Sequence, residues 1–72
     1  MAVRLRDLTR ALATFGISVA PGKGSHQKFL RPPARNYPVP APNGDKSEIS
    51  DQYVKGVCRH FGLDEANVRA LL

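Results

Sequence analysis

The sequence predicts a small α+β domain in the order helix, three antiparallel strands, helix and short terminal helix. Three observations carry that expectation. Apolar residues recur at helical spacing in two separate stretches, at residues 5–15 and 53–61. Between them, a glycine-rich break is flanked by β-branched and aromatic residues, the pattern of a hairpin. With 72 residues, the chain has only one small core to build and about 60% of its unfolded surface to bury. Residues 1–72 are therefore expected to form a single domain, with the substrate of any chemistry lying on an open face.

The first helix follows from Leu5, Leu8, Leu12 and Phe15, which fall three or four apart and so share one face. Gly16 suits the left-handed turn that ends a helix. The start carries no capping signal, since a cap at Asp7 leaves barely two turns, and the helix is set to begin near Arg4. Ile17-Ser18-Val19-Ala20 then alternates large apolar with small or polar side chains and reads as a short strand. Pro21-Gly22-Lys23-Gly24 breaks it, and residues 25–30 return as a second strand. Alternation puts Ser25, Gln27 and Phe29 on one side and His26, Lys28 and Leu30 on the other. With Phe29 as core anchor and the helices on that side, His26 and Lys28 face outward.

Residues 36–41 read as a third strand despite Pro38 and Pro40. Prolines two apart withhold their missing N–H groups from the same edge, so Tyr37, Val39 and Ala41 remain free to pair with the second strand and the third becomes an edge. The competing reading is an extended polyproline loop over residues 31–42; the placement of Tyr37 and Val39 on one face favours the strand. After the loop Pro42-Asn43-Gly44-Asp45-Lys46, Ile49 is an isolated apolar anchor and Ser50 a fitting N-cap. Tyr53, Val54, Val57, Cys58 and Phe61 form the stripe of the second helix, and Gly62 stops it. Gly56 within that helix costs about 1 kcal/mol relative to alanine, tolerable where another backbone packs close. Asp64 caps a last short helix at residues 64–72, whose Val68, Leu71 and Leu72 are expected to fold back on the domain.

The chain carries 11 Lys+Arg against 6 Asp+Glu, a net charge of +5. Residues 1–44 hold seven basic residues and only Asp7, a net of +6; residues 45–72 hold four basic and five acidic, a net of −1. Polyanions are the natural partners of the first half. The one cysteine, Cys58, cannot close an internal disulfide and lies on an apolar stripe, with no partner spaced for thiolate chemistry. No apolar run approaches the ~18 residues of a membrane span, and no secretory leader is visible, so a soluble cytoplasmic protein is expected, with no membrane contact. The two histidines and the cysteine lack metal-ligand spacing, so neither metal nor cofactor is expected.

The candidate site is Lys23-Gly24-Ser25-His26-Gln27-Lys28-Phe29, where a flexible turn runs into a strand and sets an imidazole between two ammonium groups, beside a hydroxyl. No other stretch brings a proton-transfer group so close to fixed positive charge. Gly22 and Gly24 let backbone come near an anion. Arg31 and Arg35 lie beside the site as further phosphate contacts or as solvated surface. His60, near the end of a helix where the dipole favours a cation, reads as structural.

These pieces resemble the HicA toxin family. The match is carried by Leu8 to Leu12 with Phe15-Gly16-Ile17, by Lys23-Gly24-Ser25-His26 with Phe29, by Tyr37-Pro38-Val39-Pro40, and by Val54 to Gly62, within residues 4–63. The resemblance implies a fold like the double-stranded-RNA-binding domain, a toxin that cleaves mRNA, and neutralisation by a HicB-like antitoxin. It places the catalytic histidine at His26; the charge and turn chemistry of the neighbouring residues puts Lys23, Gly24, Ser25, Lys28, Arg31 and Arg35 around the RNA phosphates. Many members carry a second histidine two residues after the proline of the third strand, where this chain has Pro40-Ala41-Pro42. Cleaving RNA without a metal drives the ribose 2′-OH onto its own phosphate and needs a base for that proton and an acid for the 5′ oxygen; histidine, with an unperturbed pKa of about 6.5, suits either task. The remaining proton-transfer role falls to a lysine, to Tyr37 or to water. Two other classes stand beside this one: a non-catalytic RNA-binding module, and a protein-interaction domain for an acidic partner.

Overall fold

The computed structural model describes residues 2–72. Strand β1 (Val3–Arg4) leads directly into helix α1 (Leu5–Ala13); strands β2 (Ser18–Pro21), β3 (His26–Leu30) and β4 (Tyr37–Pro40) follow. A 3₁₀ turn (Gly44–Lys46), strand β5 (Glu48–Ile49), helix α2 (Asp51–Phe61) and helix α3 (Glu65–Arg69) complete the chain. The α+β class and the three-stranded antiparallel sheet, in the order β2-β3-β4, are as expected. The small ladder of β1 with β5 is an addition: Val3 pairs with Ile49 and Arg4 with Glu48. Two-residue strands have no periodicity to read.

That ladder explains the missing cap of α1. Arg4 takes the extended N-cap conformation with no side-chain cap bond, and the Leu5 N–H is instead accepted by the Ser47 carbonyl at 2.8 Å. Ser47 is buried, and its Oγ accepts the Asn43 N–H, so the loop before β5 supplies what the sequence before α1 lacks. At the other end Gly16 takes φ 78°, and the Ile17 N–H closes back on the Leu12 carbonyl.

Leu5, Leu8, Ala11 and Leu12 of α1 meet Phe29 and Val39 of the sheet and Val54, Val57, Cys58 and Phe61 of α2 in one core, to which Ile49 of β5 and Val68 of α3 also belong. Register fixes the two faces of the sheet. Phe29 stands opposite Val19 and Tyr37, and Gln27 opposite Val39; on the other face Lys28 stands opposite Ala20 and Pro38, and His26 opposite Pro40. The Ala41 N–H bonds to the Ser25 carbonyl and the Gly22 N–H to the His26 carbonyl. Bonding therefore alternates along β3, with residues 25, 27 and 29 paired to β4 and the even ones to β2. Pro38 and Pro40 consequently turn their donorless nitrogens to the outer edge, the arrangement expected of a blunted edge strand.

Three details differ from the sequence reading. Ser50 occupies the N-cap of α2 in an extended conformation, but its side chain makes no cap bond; its carbonyl accepts from Tyr53 and Val54. Tyr53 is exposed rather than part of the apolar stripe, and of the last three apolar residues only Val68 is buried, Leu71 and Leu72 being exposed. Tyr53 sits one step off the arc that faces the core, and Leu71 and Leu72 lie past the end of α3. Asp64 caps α3 as expected, its Oδ1 accepting the Ala66 N–H at 2.9 Å.

Gly56 has a side chain, not a backbone, against it: a Cβ built there overlaps the Tyr37 hydroxyl. Alanine is the better helix former by about 1 kcal/mol, yet here it must displace a ring that also packs on His60 at 5.2 Å. Overpacking of this kind costs about 1–3 kcal/mol. Gly56→Ala is therefore expected to lower the melting temperature, with a smaller loss in a Tyr37→Phe background. A Gly56→Ala protein that melts higher than the parent contradicts the contact.

Candidate functional site

The site begins with a turn. The His26 N–H bonds to the Lys23 carbonyl at 3.1 Å and its carbonyl accepts from Gly22 at 2.9 Å, so both main-chain groups of His26 are fixed while its side chain is exposed. Gly22 is close to that carbonyl: a Cβ on it would lie 3.1 Å from the oxygen. Gly24 takes φ 62° with open space around it, a conformation that glycine adopts without strain. Lys23, Gly24 and Ser25 are all exposed at the tip, and the hairpin carries them beside the open face of the sheet.

On that face His26 and Lys28 stand two residues apart on the middle strand. Their cross-strand neighbours are Ala20, Pro38 and Pro40, none of which donates a side-chain hydrogen bond. Among the described residues no carboxylate comes within ion-pair distance of Lys28 or Lys23. The face thus offers one imidazole and the ammonium of a half-buried lysine on a small-residue platform, with a second ammonium at the turn. A cleft of about 400 Å³ lined by Val3, Arg4, Asp7, Arg69 and Leu72 shares no residue with it.

The other predicted residues separate. Arg31 points its guanidinium at the core side, donating to the Phe15 carbonyl at 3.4 Å and to the Phe61 carbonyl at 2.5 Å, and lies over the Phe61 ring. It answers the unpaired carbonyls at the ends of both long helices, where a cation is favoured, so its charge is already engaged. Nothing in the linear sequence announces this, because its two carbonyl partners lie 16 and 30 residues away. Arg35 is exposed, and its carbonyl is bonded by His60 Nε2 at 2.7 Å. A carbonyl only accepts, so that nitrogen carries a proton. His60 also packs on Tyr37 and edge-on to Phe61, which ties the β3–β4 connection to α2. Tyr37 lies on the Phe29 face with its hydroxyl toward Gly56, on the wrong side of the sheet to assist His26.

Cys58 is buried, and burial, reinforced by the nearby Glu65 carboxylate, holds its thiol above the ordinary range. The reactive species is the thiolate, so iodoacetamide is expected to modify the native protein only at the rate of unfolding. A raised thiol pKa contributes stability that is complete below the unfolded value and is lost as pH rises through the folded one. Urea midpoints measured across alkaline pH should therefore fall; rapid labelling of native protein at neutral pH would contradict the buried placement.

A family described as the HicA toxin of bacterial toxin-antitoxin systems matches residues 5–63 of the 72. The chain belongs to the HicA toxin family. No curated protein and no solved structure matches it. The HicA match spans α1, the whole sheet and α2, and ends just before Asp64, so α3 lies outside it. His26, both site lysines and Arg35 all fall within it. No helix among the described residues is long and apolar enough to cross a membrane.

Proposed function

We propose that this HicA toxin is a metal-independent mRNA endoribonuclease with His26 as its catalytic residue, acting in the cytoplasm and held in check by a HicB-like antitoxin laid over the open sheet face. The observation that carries the reading is the coincidence of the family match with an exposed histidine, fixed through its backbone, on the outward face of the strand that the match contains. Lys23, Lys28 and Arg35 contact phosphates, and the exposed turn at Gly24 and Ser25 lets the RNA backbone approach. Arg31, engaged by two carbonyls, serves the scaffold. The net +6 of residues 1–44 draws RNA to this half of the molecule.

The test is a labelled mRNA incubated with purified protein in the presence of EDTA. Cleavage that leaves a 2′,3′-cyclic phosphate end supports the reading, because that product comes from 2′-OH attack without added water. A second reading is favoured by Pro40-Ala41-Pro42 standing where many members carry a histidine: an RNA-binding module that does not cut. Intact RNA, bound by a folded protein, selects it.

A further inference from the structure

We propose that Lys28 is the general acid of this site, delivering a proton from Nζ to the 5′ oxygen while His26 removes the proton of the 2′-OH. The assignment rests on the ribonuclease reading above and gives to a lysine the role which the sequence alone leaves among a lysine, Tyr37 and water.

Elimination does much of the work. Tyr37 is on the buried face. The six acidic residues of the chain lie outside the three-stranded sheet, Asp7 in α1 bonded to Arg10 and the other five after β4, and among the described residues none forms an ion pair with His26, Lys23 or Lys28. Arginine holds its proton too firmly to act as an acid, and Arg31 is engaged with carbonyls. The cross-strand neighbours of His26 and Lys28 are proline, alanine and glycine, without a proton to give. Lys23 sits at the exposed tip, before the first β3 residue, and no ladder fixes its direction. Lys28 is held by β2 and β4 on both sides and is half buried.

Geometry supplies the positive argument. In an in-line displacement the entering and leaving oxygens lie on opposite sides of phosphorus, so base and acid must straddle the phosphate. Two residues apart on one face of a strand are separated by about 6.6 Å, a span that admits a phosphate between their side chains. The step balances: the 2′-OH proton passes to His26 as the 2′-oxygen bonds to phosphorus. The bond from phosphorus to the 5′ oxygen breaks, and that oxygen takes the Lys28 proton. Products are a 2′,3′-cyclic phosphate and a 5′-OH, and the two side chains regain their starting states by exchange with water.

The deciding experiment uses two oligonucleotides, one with an ordinary scissile linkage and one with sulfur in place of the bridging 5′ oxygen. A thiolate leaves without being protonated. Lys28→Arg is expected to slow cleavage of the ordinary RNA about 10²–10⁴-fold and to cut the sulfur-bridged RNA at near the parental rate, while Lys28→Ala, which also loses the charge at the phosphate, should show the larger of its two defects on the ordinary RNA. His26→Ala should be slow on both. Arginine keeps the charge, so the Lys28→Arg result separates proton donation from phosphate attraction. Equal defects of the Lys28 variants on both substrates, or Lys28→Arg at full rate on ordinary RNA, overturn the assignment alone; so does rescue of His26→Ala by sulfur, which would exchange the two roles. A folded wild type inert on both substrates overturns the ribonuclease reading, and the assignment with it.

Discussion

His26→Ala is expected to remove RNA cleavage while leaving the melting temperature and RNA affinity close to those of the parent. The magnitude follows from the role: a positioned proton-transfer group contributes about 10²–10⁴-fold in rate. The small structural effect follows from the position. The side chain is exposed, and the hydrogen bonds of residue 26 to Gly22 and Lys23 are made by its backbone, which alanine preserves. Substitutions of that kind usually change stability by no more than about 0.5 kcal/mol. Affinity is expected to hold because the proposed phosphate contacts, Lys23, Lys28 and Arg35, are untouched. The checks are single-turnover cleavage of labelled RNA, a thermal melt and a binding titration on the same preparation. A variant that cuts at the parental rate takes His26 out of the chemistry.

Phe29→Ala should do the reverse, acting on stability first. Its ring is fully buried at the centre of the sheet, opposite Val19 and Tyr37 and within the core that includes both long helices. Truncating such a residue costs about 3–5 kcal/mol. A domain of 72 residues has a total stability of only about 4–11 kcal/mol. The melting temperature should fall by more than about 12 °C, and cleavage should fail through loss of folded protein, recovering in part on cooling from the growth temperature. A Phe29→Ala protein with parental stability would mean that this face of the sheet is not the core face, and the outward placement of His26 would fall with it.

Much of this was legible in the sequence because alternation and helical spacing are local. The parity of β3 assigned Phe29 inward and His26 with Lys28 outward, and the prolines of β4 announced an edge before its neighbour was known. Gly16 and Gly62 marked both helix ends. What escaped was long-range. The pairing of β1 with β5 depends on residues more than 40 positions apart, and each strand is too short to show a pattern. Arg31 looked like one more cation near an anionic ligand, because its carbonyl partners are brought together only by the fold. Apolar type points Tyr53, Leu71 and Leu72 to the core, although a side chain at the edge of a helical stripe, like Tyr53, or past a helix end, like Leu71 and Leu72, can remain in water at little cost. The reason for Gly56 was half visible: close approach was expected, but its agent, the Tyr37 hydroxyl, belongs to a strand 19 residues away.

The Arg31 clasp also carries a consequence for timing. Its two acceptors come from Phe15 and Phe61, so the ends of α1, β3 and α2 are joined only when residue 61 is in place. During synthesis, at about 5–20 residues per second, His26 emerges seconds before the last of these partners. Until then the hairpin has neither the Phe61 carbonyl for Arg31 nor the α2 side chains for Phe29. The ribosome that makes this protein therefore holds a chain with its histidine already exposed and its scaffold still unclosed.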